Sequence, residues 1–87
     1  MSQVTKEDIL RIIADADTGV DVANVDASLP LREQGADSLD MMNILFAIMD
    51  EYNLDISDDS IAAREWLTID KMVENVNQLR SARASDL

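Results

Sequence analysis

Apolar side chains recur along this chain at the three- and four-residue spacing of helices in four places, and one long stretch between the first two lacks that spacing. Ile9, Leu10, Ile12, Ile13 and Ala16 fall on one side of a first helix, with Glu7, Asp8, Arg11 and Asp15 on the other. Thr5-Lys6-Glu7-Asp8 reads as a capping box that starts this helix, and Gly19 is expected to end it. Residues 18–37 have neither helical nor strand periodicity, yet Val20, Val22, Val25, Leu29 and Leu31 are spread along them. A loop of that length in a small domain is expected to lie on the bundle and bury those five side chains. Pro30 breaks any helix through it and favours a turn over Asp26 to Pro30.

The next helix, from about Ser38 to Tyr52, holds more apolar side chains than one face accommodates. Ile44, Leu45, Ile48 and Tyr52 recur as a core stripe, while Leu39, Met42, Phe46 and Met49 form a second stripe beside Ser38. That second stripe reads either as more core or as a docking surface rimmed by charge. A turn-like acidic segment follows, then a short helix capped by Ser57 or Asp58 and running through Ile61, Ala62, Ala63 and Arg64. Thr68 is the expected N-cap of a last helix carrying Ile69, Met72, Val73, Val76 and Leu79 inward and Asp70, Glu74, Asn75, Gln78 and Arg80 outward. The expected fold is all-α: a small four-helix bundle, three long helices and one short, with a long first loop. It covers residues 1–80, and residues 81–87, where periodicity stops, are expected to form a disordered tail.

Composition narrows the chemistry. Aromatics are only 3% of 87 residues against 47% hydrophobic, so the core is built from aliphatic side chains and Met, which favours helices. The net charge of −11 argues against nucleic acid or an anionic membrane and for basic protein partners. With no Cys there is no thiol or disulfide chemistry, and with no His the usual proton shuttle is missing. No catalytic residue and no metal ligand set is expected. Asp17-Thr18-Gly19 matches the aspartic protease triplet without its strand-borne loops, and Asp15, Asp17 and Asp26 fail the spacing of a calcium loop. The N-terminal residues read as neither signal nor anchor, and a cytoplasmic monomer without membrane insertion is expected.

The most informative stretch is Gly35-Ala36-Asp37-Ser38-Leu39-Asp40, which runs a Gly-Ala approach into an Asp-Ser pair at the head of the apolar helix. Asp37 and Ser38 alone are a common N-cap pair. With the helix that ends in Asp50-Glu51-Tyr52, and with the element order of residues 4–80, the segment resembles the attachment site of the acyl carrier protein family. The resemblance implies that Ser38 bears covalent phosphopantetheine derived from coenzyme A, on whose thiol acyl groups ride as thioesters. It implies a carrier and not an enzyme: a substrate of a phosphopantetheinyl transferase, of acyltransferases and of ketoacyl synthases or related enzymes with basic docking patches. Fatty-acid or related lipid biosynthesis is the pathway class it points to.

By the same resemblance the partner surface comprises Asp37, Leu39, Asp40, Met42, Phe46, Met49, Asp50 and Glu51. Ile44, Ile48, Ile56, Ile61, Met72 and Val76 match positions near the family's acyl pocket, and Trp66 lies in a segment about two residues longer than usual before the last helix. Asn43 and Met49 stand where many fatty-acid carriers have glutamates, which points to a specialised carrier. A polyketide or peptidyl carrier and a helical adaptor without a prosthetic group are the alternatives.

Overall fold

The computed structural model describes residues 3–62 and 65–85, and among them every regular element is helical. In chain order these are α1 (Lys6–Asp15), a 3-10 helix (Leu31–Gln34), α2 (Ser38–Tyr52), the short α3 (Asp58–Ala62) and α4 (Ile69–Ser85). Helix α1 packs against both α2 and α4, and the 3-10 helix packs on α2. The interior is aliphatic, as the composition requires: Ile9, Ile13, Leu31, Ile44, Ile48, Ile69, Met72 and Val76 are all fully buried. Among the described residues no polar or charged side chain is buried.

Local chemistry sets the helix starts. The Thr5 N–H and hydroxyl donate to Asp8 Oδ2 at 2.9 and 3.1 Å, and the Asp8 N–H returns a bond to Thr5 Oγ1 at 3.3 Å. Led by the Thr5 backbone N–H, these bonds hold the Asp8 carboxyl below its ordinary 3.8. Just ahead of the cap, the Val4 backbone is pinned to α4: its N–H donates to Asn77 Oδ1 at 2.8 Å and its carbonyl accepts from Asn77 Nδ2 at 3.0 Å. Ser57 caps α3 by accepting from the Ser60 N–H at 3.1 Å, and Thr68 caps α4 by accepting from the Lys71 N–H at 3.0 Å. Ala63 and Arg64, expected in the short helix, lie outside the described residues.

Two helix ends differ from expectation. Helix α1 stops at Asp15, with Ala16 as its C-cap and Asp17 in the left-handed region at φ 55°. A short polar side chain tolerates that conformation, so glycine is not needed to end the helix, and Gly19 serves elsewhere. Helix α4 continues through Ser85 where a disordered tail was expected from residue 81. Ser81-Ala82-Arg83-Ala84-Ser85 contains good helix formers, which extend an existing helix without an apolar stripe to mark it. Residues 86 and 87 of that expected tail lie outside the described residues.

The long first loop lies on the bundle. The Leu31 N–H donates to the Leu67 carbonyl at 2.9 Å and the Asp70 N–H to the Ala27 carbonyl at 3.0 Å, tying both ends of its second half to the α4 approach. The Gln34 amide closes the turn between. It accepts from the Asp26 N–H at 2.7 Å and donates to the carbonyls of Asp26 and Leu29 at 2.9 and 3.1 Å. These bonds satisfy backbone groups that regular structure would otherwise pair. Val20 and Leu31 are buried and Val22 and Val25 pack on the core, but Leu29, expected inside, is 47% exposed at the tip of this turn.

Candidate functional site

Asp37 is the N-cap of α2 and Ser38 its first helical residue. Asp37 Oδ1 accepts from the Asp40 N–H at 2.8 Å, and the Asp37 N–H donates to Asp40 Oδ2 at 3.2 Å, so both carboxylates are committed to the helix start. Ser38 stands between them, exposed, and among the described residues its hydroxyl has no hydrogen-bond partner. The N–H groups of Ser38 and Leu39 lie in the first turn, where no intrahelical carbonyl is available. An anion attached at Ser38 therefore meets free donors and the positive end of a 15-residue helix.

The approach to this serine is fixed by backbone, and the sequence reading missed how. Gly35 ends the 3-10 helix at φ 110°, a conformation that favours glycine. A Cβ on Gly35 would lie 2.6 Å from the Gly19 carbonyl oxygen, and a Cβ on Gly19 would lie 2.6 Å from the Gly35 carbonyl oxygen. The chain has two glycines, and both stand at this one contact. It presses the start of the long first loop against the turn that delivers Ser38, and the next residue, Ala36, is buried.

Ser38 lies on the wall of a cleft of about 470 Å³. The 3-10 helix side contributes Pro30, Arg32 and Glu33; α2 contributes Ser38, Met41, Met42 and Leu45; and the far wall is Ile61, Trp66 and Leu67. That volume falls within the range of small-molecule sites. Trp66 is only 3% exposed, and its indole N–H donates to Ser60 Oγ at 3.2 Å. The Ser60 hydroxyl in turn donates to Glu65, whose carbonyl accepts from Asn75 Nδ2 at 2.6 Å, so the indole is braced from α3 and α4.

The residues expected near a pocket divide into two groups. Ile61 and Trp66 line the cleft. Ile44, Ile48, Met72 and Val76 are fully buried in the packed interior and Ile56 is 9% exposed; none of the five lines the cleft. Pro30, Arg32, Glu33, Met41, Leu45 and Leu67 do line it without having been expected there. For Arg32 a signal existed: it is the only Lys or Arg between Arg11 and Arg64.

The second stripe of α2 is also split. Leu39 and Phe46 are 69% and 55% exposed, seven residues apart on one face, whereas Met42 and Met49 are half-buried against the core. Met41, read as neither stripe, is buried. Asp37, Asp50 and Glu51 are exposed, Asp40 is half-buried, and Glu51 pairs with Arg11 at 3.8 Å. Among the described residues no group of three or more Asp or Glu is placed to hold a metal ion, and no helix is long and apolar enough to cross a membrane.

Comparison with known proteins identifies the family. The family model described as a phosphopantetheine attachment site matches residues 7–76, which takes in α1, the first loop, α2, α3 and half of α4. No solved structure matches the chain significantly.

Proposed function

The chain belongs to the phosphopantetheine attachment-site family of carriers, and from that premise we propose that Ser38 is the residue that bears the arm. The observation that carries this reading is the exposed, unpartnered Ser38 hydroxyl at the head of α2, on the wall of a largely apolar cleft. The residues around it fit the group. Free N–H donors and the helix dipole suit a phosphate, and Met41, Met42, Leu45, Ile61 and Trp66 suit the arm and what it carries. When bound, the group supplies a terminal thiol that holds acyl groups as thioesters.

This chain's own residues hold and present. The capping box of Asp37 and Asp40 fixes the first turn of α2, and the Gly19–Gly35 contact fixes the approach, so the attachment point is rigid. Asp37 and Asp40 are bonded to backbone, and the chain has no His, so Ser38 lacks a base of its own and the modifying enzyme must remove its proton. In this reading the protein is a substrate shuttle acted on by a phosphopantetheinyl transferase and by acyl-transferring enzymes.

The cargo is read as acyl groups of fatty-acid or related lipid biosynthesis, in a specialised carrier. Two features support the specialised reading: Asn43 and the half-buried Met49 leave the outer face of α2 less acidic, and Trp66 walls the cleft. The exposed Leu39 and Phe46, with Asp37 and Asp50 nearby in sequence, supply an apolar, acid-rimmed face for basic partner enzymes.

Intact mass after incubation with coenzyme A and a broad-specificity phosphopantetheinyl transferase tests the assignment. The wild type gains the arm and Ser38→Ala does not; a wild type that gains nothing, or a Ser38→Ala that gains it, overturns the assignment. Loading by malonyl or aminoacyl donors in preference to fatty acyl donors would move the cargo to polyketide or peptidyl chemistry.

A further inference from the structure

We propose that Arg32 pairs with the phosphodiester joining the arm to Ser38 and thereby folds the arm along the cleft, instead of leaving it extended into solvent. The proposal rests on the reading of Ser38 as the attachment site.

Among the described residues Arg32 is the only cation on the cleft wall, and it has no ion-pair partner there. It belongs to the 3-10 helix that packs on α2 and ends at Gly35, so a short, backbone-fixed turn separates it from Ser38. The mouth of the site is otherwise acidic, with Glu33, Asp37 and Asp40 close by in a chain of net charge −11. A phosphodiester on Ser38 adds another negative charge at a position set by one covalent bond to Oγ. The helix start offers neutral N–H groups, and Arg32 offers the missing charge in a planar fork that suits two phosphate oxygens.

The consequence is directional. An arm anchored at Ser38 and drawn toward Arg32 lies between the 3-10 helix and α2, over Met41, Met42 and Leu45, and its far end points to Ile61 and Trp66. Arg32 is thus a positioning residue: it biases the arm toward the sheltered state, and a partner that competes for the phosphate or for Arg32 releases it. Because the pair is exposed, salt weakens it.

The test uses nitrogen-15 spectra of the whole chain before and after loading, following the arginine Nε–H signals. Loading is expected to shift the Arg32 Nε–H and slow its exchange with water, while Arg11, which pairs with Glu51 on another face, stays in place. At about 1 M salt, where the Debye length is about 3 Å, the Arg32 shift should largely vanish. The phosphorus-31 signal of the loaded wild type should differ from that of loaded Arg32→Gln at low salt and coincide with it at high salt, with Arg32→Lys between them. Intact mass establishes loading first. A chain that takes no arm at Ser38 overturns both readings, whereas a loaded chain whose Arg32 signal is unmoved overturns this one alone. A shift that arises only with a carboxylate-tipped cargo, and not with the bare arm, also overturns it.

Discussion

At the start of α1, Thr5 and Asp8 exchange bonds between side chain and backbone; at the start of α2, Asp37 and Asp40 do the same. The cap chemistry is nearly identical, and the surroundings are not. Ahead of α1, the buried Val4 is clamped to α4 by the Asn77 amide, and Lys6 occupies the first helical position. Ahead of α2, among the described residues, no side-chain amide holds the backbone just before the cap; two glycine backbones meet, and the first helical position holds an exposed serine beside a cleft. A capped helix start therefore does not make a site. Under the assignment proposed above, what makes one here is an exposed hydroxyl, approached through a close glycine–glycine contact, on the wall of a largely apolar cleft.

This contrast can be broken at its strongest point by Gly35→Ala. The left-handed φ alone costs about 1–3 kcal/mol, and the 2.6 Å approach to the Gly19 carbonyl adds to it. Urea unfolding should show this as the largest loss of any substitution near Ser38, with Gly19→Ala also destabilising. A loss no larger than that of a cap variant would mean that the two backbones separate freely and do not fix the serine.

The caps sharpen the contrast. Thr5→Ala and Asp37→Ala should each cost about 0.5–2 kcal/mol of stability, typically about 1. Only Asp37→Ala should also slow acquisition of the arm, followed by mass against time at a temperature where both variants are folded. Equal slowing in Thr5→Ala would erase the distinction between the two helix starts.

The smallest effect concerns acid. The Asp8 carboxyl lies below its ordinary 3.8, chiefly through the Thr5 backbone N–H, and Asp26 lies below it through the Ser28 hydroxyl and then the Ser28 N–H. A carboxyl lowered in the folded state contributes stability that is present above its unfolded value and is lost as pH falls through its folded value. Both contributions should therefore fade below about pH 4. In a pH series of unfolding curves, Asp8→Asn should flatten the acid limb slightly and leave the neutral region nearly parallel to wild type. An unchanged acid limb would show that the cap bonds do not govern this titration.

What was legible in the sequence was local. The Thr5 and Thr68 caps, the start of α2 at Ser38 and the core positions Ile44, Leu45 and Ile48 depend on neighbours three or four residues away, and the pattern displays them. Helix ends were less legible. Helix α1 ends at Asp15, with Asp17 in the left-handed conformation, where Gly19 was expected to end it, and α4 runs on through Ser85 past the last apolar periodicity. The cleft was the least legible, because Arg32, Met41 and Trp66 meet only through the tertiary fold. Nothing within a helical turn of Gly19 announces that its partner is Gly35.

The bracing of Trp66 has a practical consequence. The chain's single tryptophan is shielded from water, bonded at its N–H to Ser60, and lines the cleft. The molecule thus carries its own optical probe at the place where cargo would rest. Emission excited at the indole reports on that wall alone, with no second tryptophan to blur it, so occupancy of the cleft can be followed in the native chain without attaching a label.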